Sequence, residues 1–258
     1  MRSSSPARRI ALLVALTSSA GNASCQRTPA APGTAAGTGS YRSAHFAFAY
    51  TPLDEKSIAS IAAAVESQYA RIVGDLRSDS LPLVHVTFYL DHAALVAATS
   101  PVAGTVPSWA AGLAIAQDQI HLMSPNAPGW AMSDPSMSNI VHEFAHCVSM
   151  HLNARIPNNP RWFWESVAIY ESGQTADLRT LGYMRDGQVP SFASLNSFDN
   201  RQVYELGYSI AEFIVTRWGR DALNKLVLNN ANVPATLGVS QTDFEAQWLA
   251  FVRQRYVL

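Results

Sequence analysis

Two histidines and a glutamate stand at a spacing that suits metal chemistry. His142 and His146 are four residues apart, and Glu143 lies between them in the segment His142-Glu-Phe-Ala-His146. On a helix, side chains four positions apart share a face, so both imidazoles can bind one ion while the carboxylate of Glu143 lies one position round. The pattern therefore predicts a metal site with a general base beside it.

A metal ion that activates water needs three protein ligands and an open fourth position. Glu165 is the best candidate for the third ligand. It lies 19 residues after His146, in the second turn of a helix that Pro160 should open, and the break at 156–160 lets two helices fold back on each other. Zn2+ is the expected ion, although nitrogen and oxygen ligands also accept cobalt or manganese.

The helix that must carry both histidines has a start signal in the sequence. Asp134 can cap the free amides and Pro135 suits the first helical position, and we expect the helix to run to about residue 152. Asn159 should cap the helix that follows. The apolar residues of the first helix form one stripe that should pack on the core: Val141, Phe144, Ala145, Val148 and Leu152.

The elements upstream of this helix are predicted from hydrophobic periodicity. Alternation over 45–50 and an apolar run over 83–90 indicate strands, and helical spacing indicates a helix over 53–76. A short helix near 91–99 and a hairpin over 109–123, turning at Gln117-Asp118, should follow.

The downstream chain reads as mostly helical. Helices are expected at about 203–218, 220–229 and 241–256, with 233–238 as a loop. A small sheet followed by helices predicts an α+β domain.

Two segments resemble the gluzincin zinc metallopeptidases. Pro160-Arg-Trp-Phe-Trp-Glu-Ser-Val-Ala-Ile-Tyr-Glu171 is similar to their segment Pro-x-Trp-Leu-x-Glu-Gly-x-Ala-x-Tyr-x-Glu, which carries the third zinc ligand. On that match Glu165 is the ligand, and Ser166 replaces the usual glycine. The segment that starts Tyr204-Glu-Leu-Gly resembles the Tyr-x-x-Gly segment of gluzincin aminopeptidases, whose tyrosine supports the oxyanion. This implies that role for Tyr204, with Tyr208 as the second choice.

The resemblance covers residues 41–258 and implies a zincin-like, thermolysin-type peptidase MA-like domain with a small mixed sheet before the active-site helix. It also implies hydrolysis of peptide bonds with Glu143 as general base. No segment resembles the Gly-Ala-Met-Glu-Asn of gluzincin aminopeptidases, which favours an endopeptidase. Two alternatives stay open: a zinc-bearing domain that binds peptide or envelope components without cleaving them, and a lipoprotein scaffold without metal.

The first 25 residues predict export. Arg2, Arg8 and Arg9 precede an apolar run at 10–16, which is too short to span a membrane and is typical of a signal peptide. One interpretation is cleavage by an ordinary signal peptidase, which Gly21 and Ala23 could serve. The other is lipidation, because Asn22-Ala-Ser-Cys25 resembles a lipoprotein box. The linker-like composition of 26–40 favours a lipid anchor at Cys25 and a periplasmic or envelope location.

Composition and net charge further limit the class of protein and its possible partners. The chain has 258 residues, 48% of them hydrophobic and 14% charged, which is enough for one sizeable core. A formal net charge of -1 offers no basic footprint, so the sequence argues against nucleic acid as a partner. The gluzincin resemblance implies a peptide or protein substrate instead. Cys147 should be a small buried residue, and Glu171 should lie at a solvated helix end.

Overall fold

The computed structural model describes residues 39–128 and 137–256. The predicted signal peptide, Cys25 and most of the predicted linker lie outside these ranges, as do Asp134 and Pro135. Within them, no helix combines the length and apolarity that crossing a membrane requires.

A five-stranded mixed sheet forms the first half of the fold. Its strands are β1 (Gly39–Arg42), β2 (Phe46–Tyr50), β3 (Val84–Tyr89), β4 (Gly112–Ala116) and β5 (Gln119–Met123), in the order β1-β2-β3-β5-β4. The central pairs β2–β3 and β3–β5 are parallel, while β1–β2 and β4–β5 are antiparallel. Parallel neighbours need crossover connections, which helices α1 (Ile58–Asp75) and α2 (His92–Ala103) supply.

Helices make up the second half. The main ones are α3 (Ser138–Leu152), α4 (Arg161–Ser172), α7 (Gln202–Trp218), α8 (Arg220–Leu228) and α10 (Gln241–Tyr256), and three short ones are α5 (Gly182–Arg185), α6 (Phe192–Leu195) and α9 (Val233–Leu237). The α+β class and the mixed sheet are thus confirmed.

Helix α3 connects the two halves. Its Phe144 ring packs 5.1 Å from Phe46 of β2 and 5.5 Å from Tyr69 of α1, measured between ring centroids. Val141, Ala145 and Val148 are buried with it, as the predicted stripe requires, and Cys147 is buried as predicted. Because α3 is held rigidly against the sheet, the side chains on its flank are fixed relative to strand β4.

Several predicted boundaries were wrong. Helix α1 begins at Ile58, because Thr51 caps a short 3-10 turn at 52–54 first. Asn159 does not cap α4; its side chain donates to the Arg155 carbonyl instead (3.2 Å). The loop predicted at 233–238 contains helix α9, since the Asn232 side chain accepts from the amide of residue 235 and caps it. Strand β1 begins at Gly39, inside the predicted linker.

Candidate metal centre

Three side chains from two helices meet at the base of a cleft. His142 and His146 lie one turn apart on α3, and Glu165 reaches them from α4. The Glu165 Oε2 atom lies 3.2 Å from His142 Nε2 and 3.5 Å from His146 Nε2. One potential ligand atom from each residue lies within 4.8 Å of the others, and all three side chains are buried. The three predicted ligands therefore form one group that could hold a metal ion.

The chemistry of this group fits a divalent cation. Among the described residues, Glu165 Oε2 has no hydrogen-bond partner although it is buried. A buried, unpaired carboxylate oxygen is costly, and it becomes favourable when a cation binds there. Two imidazole nitrogens and one carboxylate oxygen are a donor set that zinc accepts, with a position left for water. The ion would satisfy the atom that the protein leaves unpaired.

The protonation of the three side chains follows from burial and mutual contact. Burial lowers the pKa of His146 to about 4. Burial acts the same way on His142, but the carboxylates of Glu165 and Glu143 outweigh it and raise that pKa. Burial alone would raise the pKa of Glu165, yet the two imidazoles hold it below its usual range. Glu165 is therefore anionic at neutral pH, as a ligand must be.

The two imidazoles are held in different ways. His142 Nδ1 lies 3.0 Å from Gln174 Oε1, so its Nδ1–H can donate there and leave Nε2 free for a ligand bond. Gln174 is fixed in turn because its amide nitrogen donates to Asn139 Oδ1 (3.0 Å). His146 instead stacks on Trp164, with ring centroids 3.9 Å apart and planes within 10°.

Glu143 lies beside the group and is tied to the sheet. Its Oε2 accepts a hydrogen bond from the backbone amide of Ala114 in strand β4 (2.8 Å). Loss of water around the carboxylate raises the pKa of Glu143 to about 7, and the charge of Glu165 acts in the same direction. A carboxylate that titrates near neutrality can both take up and return a proton.

Tyr204 reaches the same place from α7. Its hydroxyl donates to Glu165 Oε1 (3.2 Å), and burial together with the Glu165 charge raises the pKa of Tyr204, which keeps the hydroxyl protonated. Gly207 permits this approach, since a Cβ there would lie 3.2 Å from the Ser166 Cα of α4. Tyr208 packs on Tyr170 away from the cleft wall. Of the two candidate tyrosines, the structure places Tyr204 at the site.

The cleft above these residues has a volume of about 1010 Å³. The segment 107–114 and strand β4 form one wall, α3 forms the base, and residues of α4 and α7 form the opposite wall. The cleft is large enough for several residues of an extended peptide.

The sequence did not reveal Gln174 or the Ala114 amide. Gln174 follows Gly173, which ends α4 in the left-handed conformation, and no local pattern indicates that the chain then turns back to His142. The solvated position predicted for Glu171 was wrong: its side chain is 1% exposed and is bound by Arg71 and Arg220.

No protein-family model, curated protein or solved structure matches this chain. The gluzincin class therefore remains a prediction from the motif residues, whereas the buried His/His/Glu group is a feature of the structure.

Proposed function

We propose that this protein is a zinc-dependent peptidase of the gluzincin type. The observation that supports this best is the buried convergence of His142, His146 and Glu165, with Glu143 beside them, at the base of a cleft that can accept a peptide. A zinc ion held by the three ligands would supply an acidified water and a Lewis acid for the scissile carbonyl.

The chain's own residues supply the proton transfers and orientation. Glu143 accepts the proton of the attacking water and returns it to the leaving amine, and its bond to the Ala114 amide fixes the carboxylate for both steps. Tyr204, whose hydroxyl donates to Glu165 Oε1 in the resting site, would turn that hydroxyl to donate a hydrogen bond to the developing oxyanion. Loss of such a donor typically costs 10²–10³ in rate, about 3 to 4 kcal/mol.

A metal kept only for stability explains the site less well. Such sites usually close the fourth position with a further protein ligand and need no carboxylate base beside the ligands. Here the ligands line a large cleft, together with Glu143. Export, the lipid anchor at Cys25 and the periplasmic or envelope location remain predictions of the sequence.

The test measures zinc and cleavage on the purified full-length protein. Elemental analysis should find one equivalent of zinc in the wild type and none in Glu165→Ala. Glu205→Gln is the matched control for zinc content, because Glu205 lines the cleft but is not part of the His142, His146 and Glu165 group. Casein should be cleaved by the wild type and not by Glu143→Gln, which keeps its zinc. A folded wild-type protein without zinc would refute the proposal.

A further inference from the structure

The helical wall of the cleft contains a buried arginine with a free donor. Arg161, at the start of α4, is 2% exposed. Its Nη2 has no hydrogen-bond partner among the described residues, although it is buried. Its Nη1 donates to three backbone carbonyls in the segment from the end of α6 to residue 200, those of Leu195 (3.2 Å), Ser197 (3.2 Å) and Asn200 (2.9 Å). The guanidinium is therefore locked in place with donor capacity left over.

A second arginine lies on the same wall and is accessible. Arg201 is exposed, lines the cleft and stacks on Trp109, with its guanidinium carbon 5.4 Å from the ring centroid. Trp109 packs edge-on against Tyr204 at 5.5 Å, and the Arg161 guanidinium carbon lies 5.4 Å from the Tyr204 ring. Both cations thus lie against one pair of aromatic rings. Within the described residues, Arg201 forms no ion pair.

The nearby carboxylates interact mainly with groups other than the two arginines. Glu165 approaches Arg161 only to 4.0 Å, between Oε1 and Nε, and faces the imidazoles with its other oxygen. Glu205, also on the cleft wall, accepts from the Tyr183 hydroxyl (2.7 Å). Among the described residues that line the cleft, two arginines and a divalent ion at the three ligands would carry more positive charge than Glu143, Glu165 and Glu205 carry negative charge when all three are ionised. A bound anion would balance it.

We propose that Arg201 and Arg161 form a subsite for a carboxylate of the peptide substrate. This inference rests on the proposed peptidase function and specifies a group of the substrate, a carboxylate, that the cleft binds. Arg201 makes the direct contact, and the buried Arg161 adds its fixed positive charge to the same wall. Guanidinium and carboxylate form charge-assisted, often bidentate hydrogen bonds, and Trp109 keeps water from one face of the pair. The carboxylate is either the C-terminus of the peptide or an acidic side chain.

Titration calorimetry with four matched peptides distinguishes a C-terminal carboxylate from an acidic side chain. The full-length, zinc-loaded protein carries Glu143→Gln so that bound peptide is not cleaved. The first probe is acetyl-Ala-Ala-Phe-Ala-Ala with a free C-terminus, and the second is the same peptide as its C-terminal amide. The third and fourth are peptide amides, of which one ends in Glu and the other in Gln. A C-terminal subsite binds the first peptide about tenfold tighter than the second. An acidic-side-chain subsite gives the same preference for the Glu amide over the Gln amide.

The preference must depend on Arg201. Adding Arg201→Gln should reduce it to about twofold or less, without changing zinc content, and an exposed side chain can be replaced without disturbing the core. Arg217→Gln is the matched control, since Arg217 packs on Trp218 and does not line the cleft. Equal binding of each pair, no binding of any peptide, or a preference that survives Arg201→Gln would overturn the subsite. Zinc content and casein cleavage test the peptidase function separately.

Discussion

Helix α4 carries two buried carboxylates, Glu165 and Glu171, whose surroundings differ. Glu171 Oε1 accepts from Arg220 of α8 (2.8 Å), and Oε2 accepts from Arg71 of α1 (3.1 Å). Arg71 also donates to the Glu171 backbone carbonyl (2.6 Å). Each oxygen has a cationic partner, so this carboxylate joins three helices.

Neither oxygen of Glu165 accepts a hydrogen bond from an arginine. One oxygen accepts from Tyr204, and the other lies between two imidazole nitrogens without a hydrogen bond. This difference shows that burial alone does not reveal the role of a carboxylate, and that its partners do. A side chain neutralised by arginines holds the fold together, whereas one that faces other potential ligands with a free oxygen indicates a place for a cation.

Removing the metal gives the largest expected contrast between the two carboxylates. Zinc at a thousandfold excess over its Kd should stabilise the wild type by about 4 kcal/mol, which raises Tm by roughly 10 °C for a chain of this size. Chelation should remove that shift in the wild type and have no effect on Glu165→Ala, because the variant has lost a ligand. Thermal melting with and without EDTA measures it. An equal EDTA effect in both proteins would contradict the ligand role.

Glu171→Gln should destabilise the protein and leave the metal site intact. The substitution removes the buried charge that both arginines bind, although Asp75 still pairs with Arg71 and Arg220, so the cost should be about 2 kcal/mol. Urea unfolding measures the loss, and elemental analysis should still find one zinc. Asp177→Asn is the control, because its pair with Arg179 is exposed to solvent and should contribute little to stability. Loss of zinc in folded Glu171→Gln would show that the two carboxylates are not independent.

Gln174→Leu should weaken zinc binding without removing it. The substitution takes away the acceptor that orients His142, and such outer contacts typically contribute 10–100-fold in affinity. Competition with a chromophoric chelator gives the Kd. Gln174→Glu keeps an acceptor oxygen and should bind zinc more tightly than the leucine variant. If the leucine variant matched the wild type, Gln174 would have no part in holding His142.

A half-buried carboxylate, Glu66, should give the smallest change in stability, and that change should depend on pH. Glu66 accepts from Ser43 (2.6 Å) and contacts His45. Burial alone would raise the Glu66 pKa, but the contacts with Ser43 and His45 together outweigh it and lower that pKa below 4.5. Because the folded pKa is the lower one, the stabilisation is present above pH 4.5 and is lost as the pH falls through the folded value. Glu66→Gln should therefore cost at most about 1 kcal/mol at neutral pH and nothing in acid.

Melting of wild type and Glu66→Gln across the acid range tests this sign. A difference between the two proteins that stays constant with pH would mean that the Glu66 charge does not stabilise the fold.

Local sequence patterns were enough for most elements but not for long-range partners. The alternation of β2, the turn between β4 and β5, and the helical periods of α3, α7 and α10 all depend on neighbours within a few residues. Glu171 shows the limit: its partner Arg71 lies 100 residues away along the chain. Nothing in the segment around Glu171 distinguishes a solvated carboxylate from one that three helices enclose.

The sequence by itself determined that His142 and His146 share a helical face and that a carboxylate follows on the next helix, because the period of a helix fixes which side chains are neighbours. Only the tertiary structure decided that Glu165 turns one oxygen to both imidazoles, that strand β4 binds Glu143, and that Gln174 orients His142. Those contacts join remote segments, and they exist because packing of α3 against the sheet and α4 against α7 fixes the relative positions of side chains that no local pattern connects.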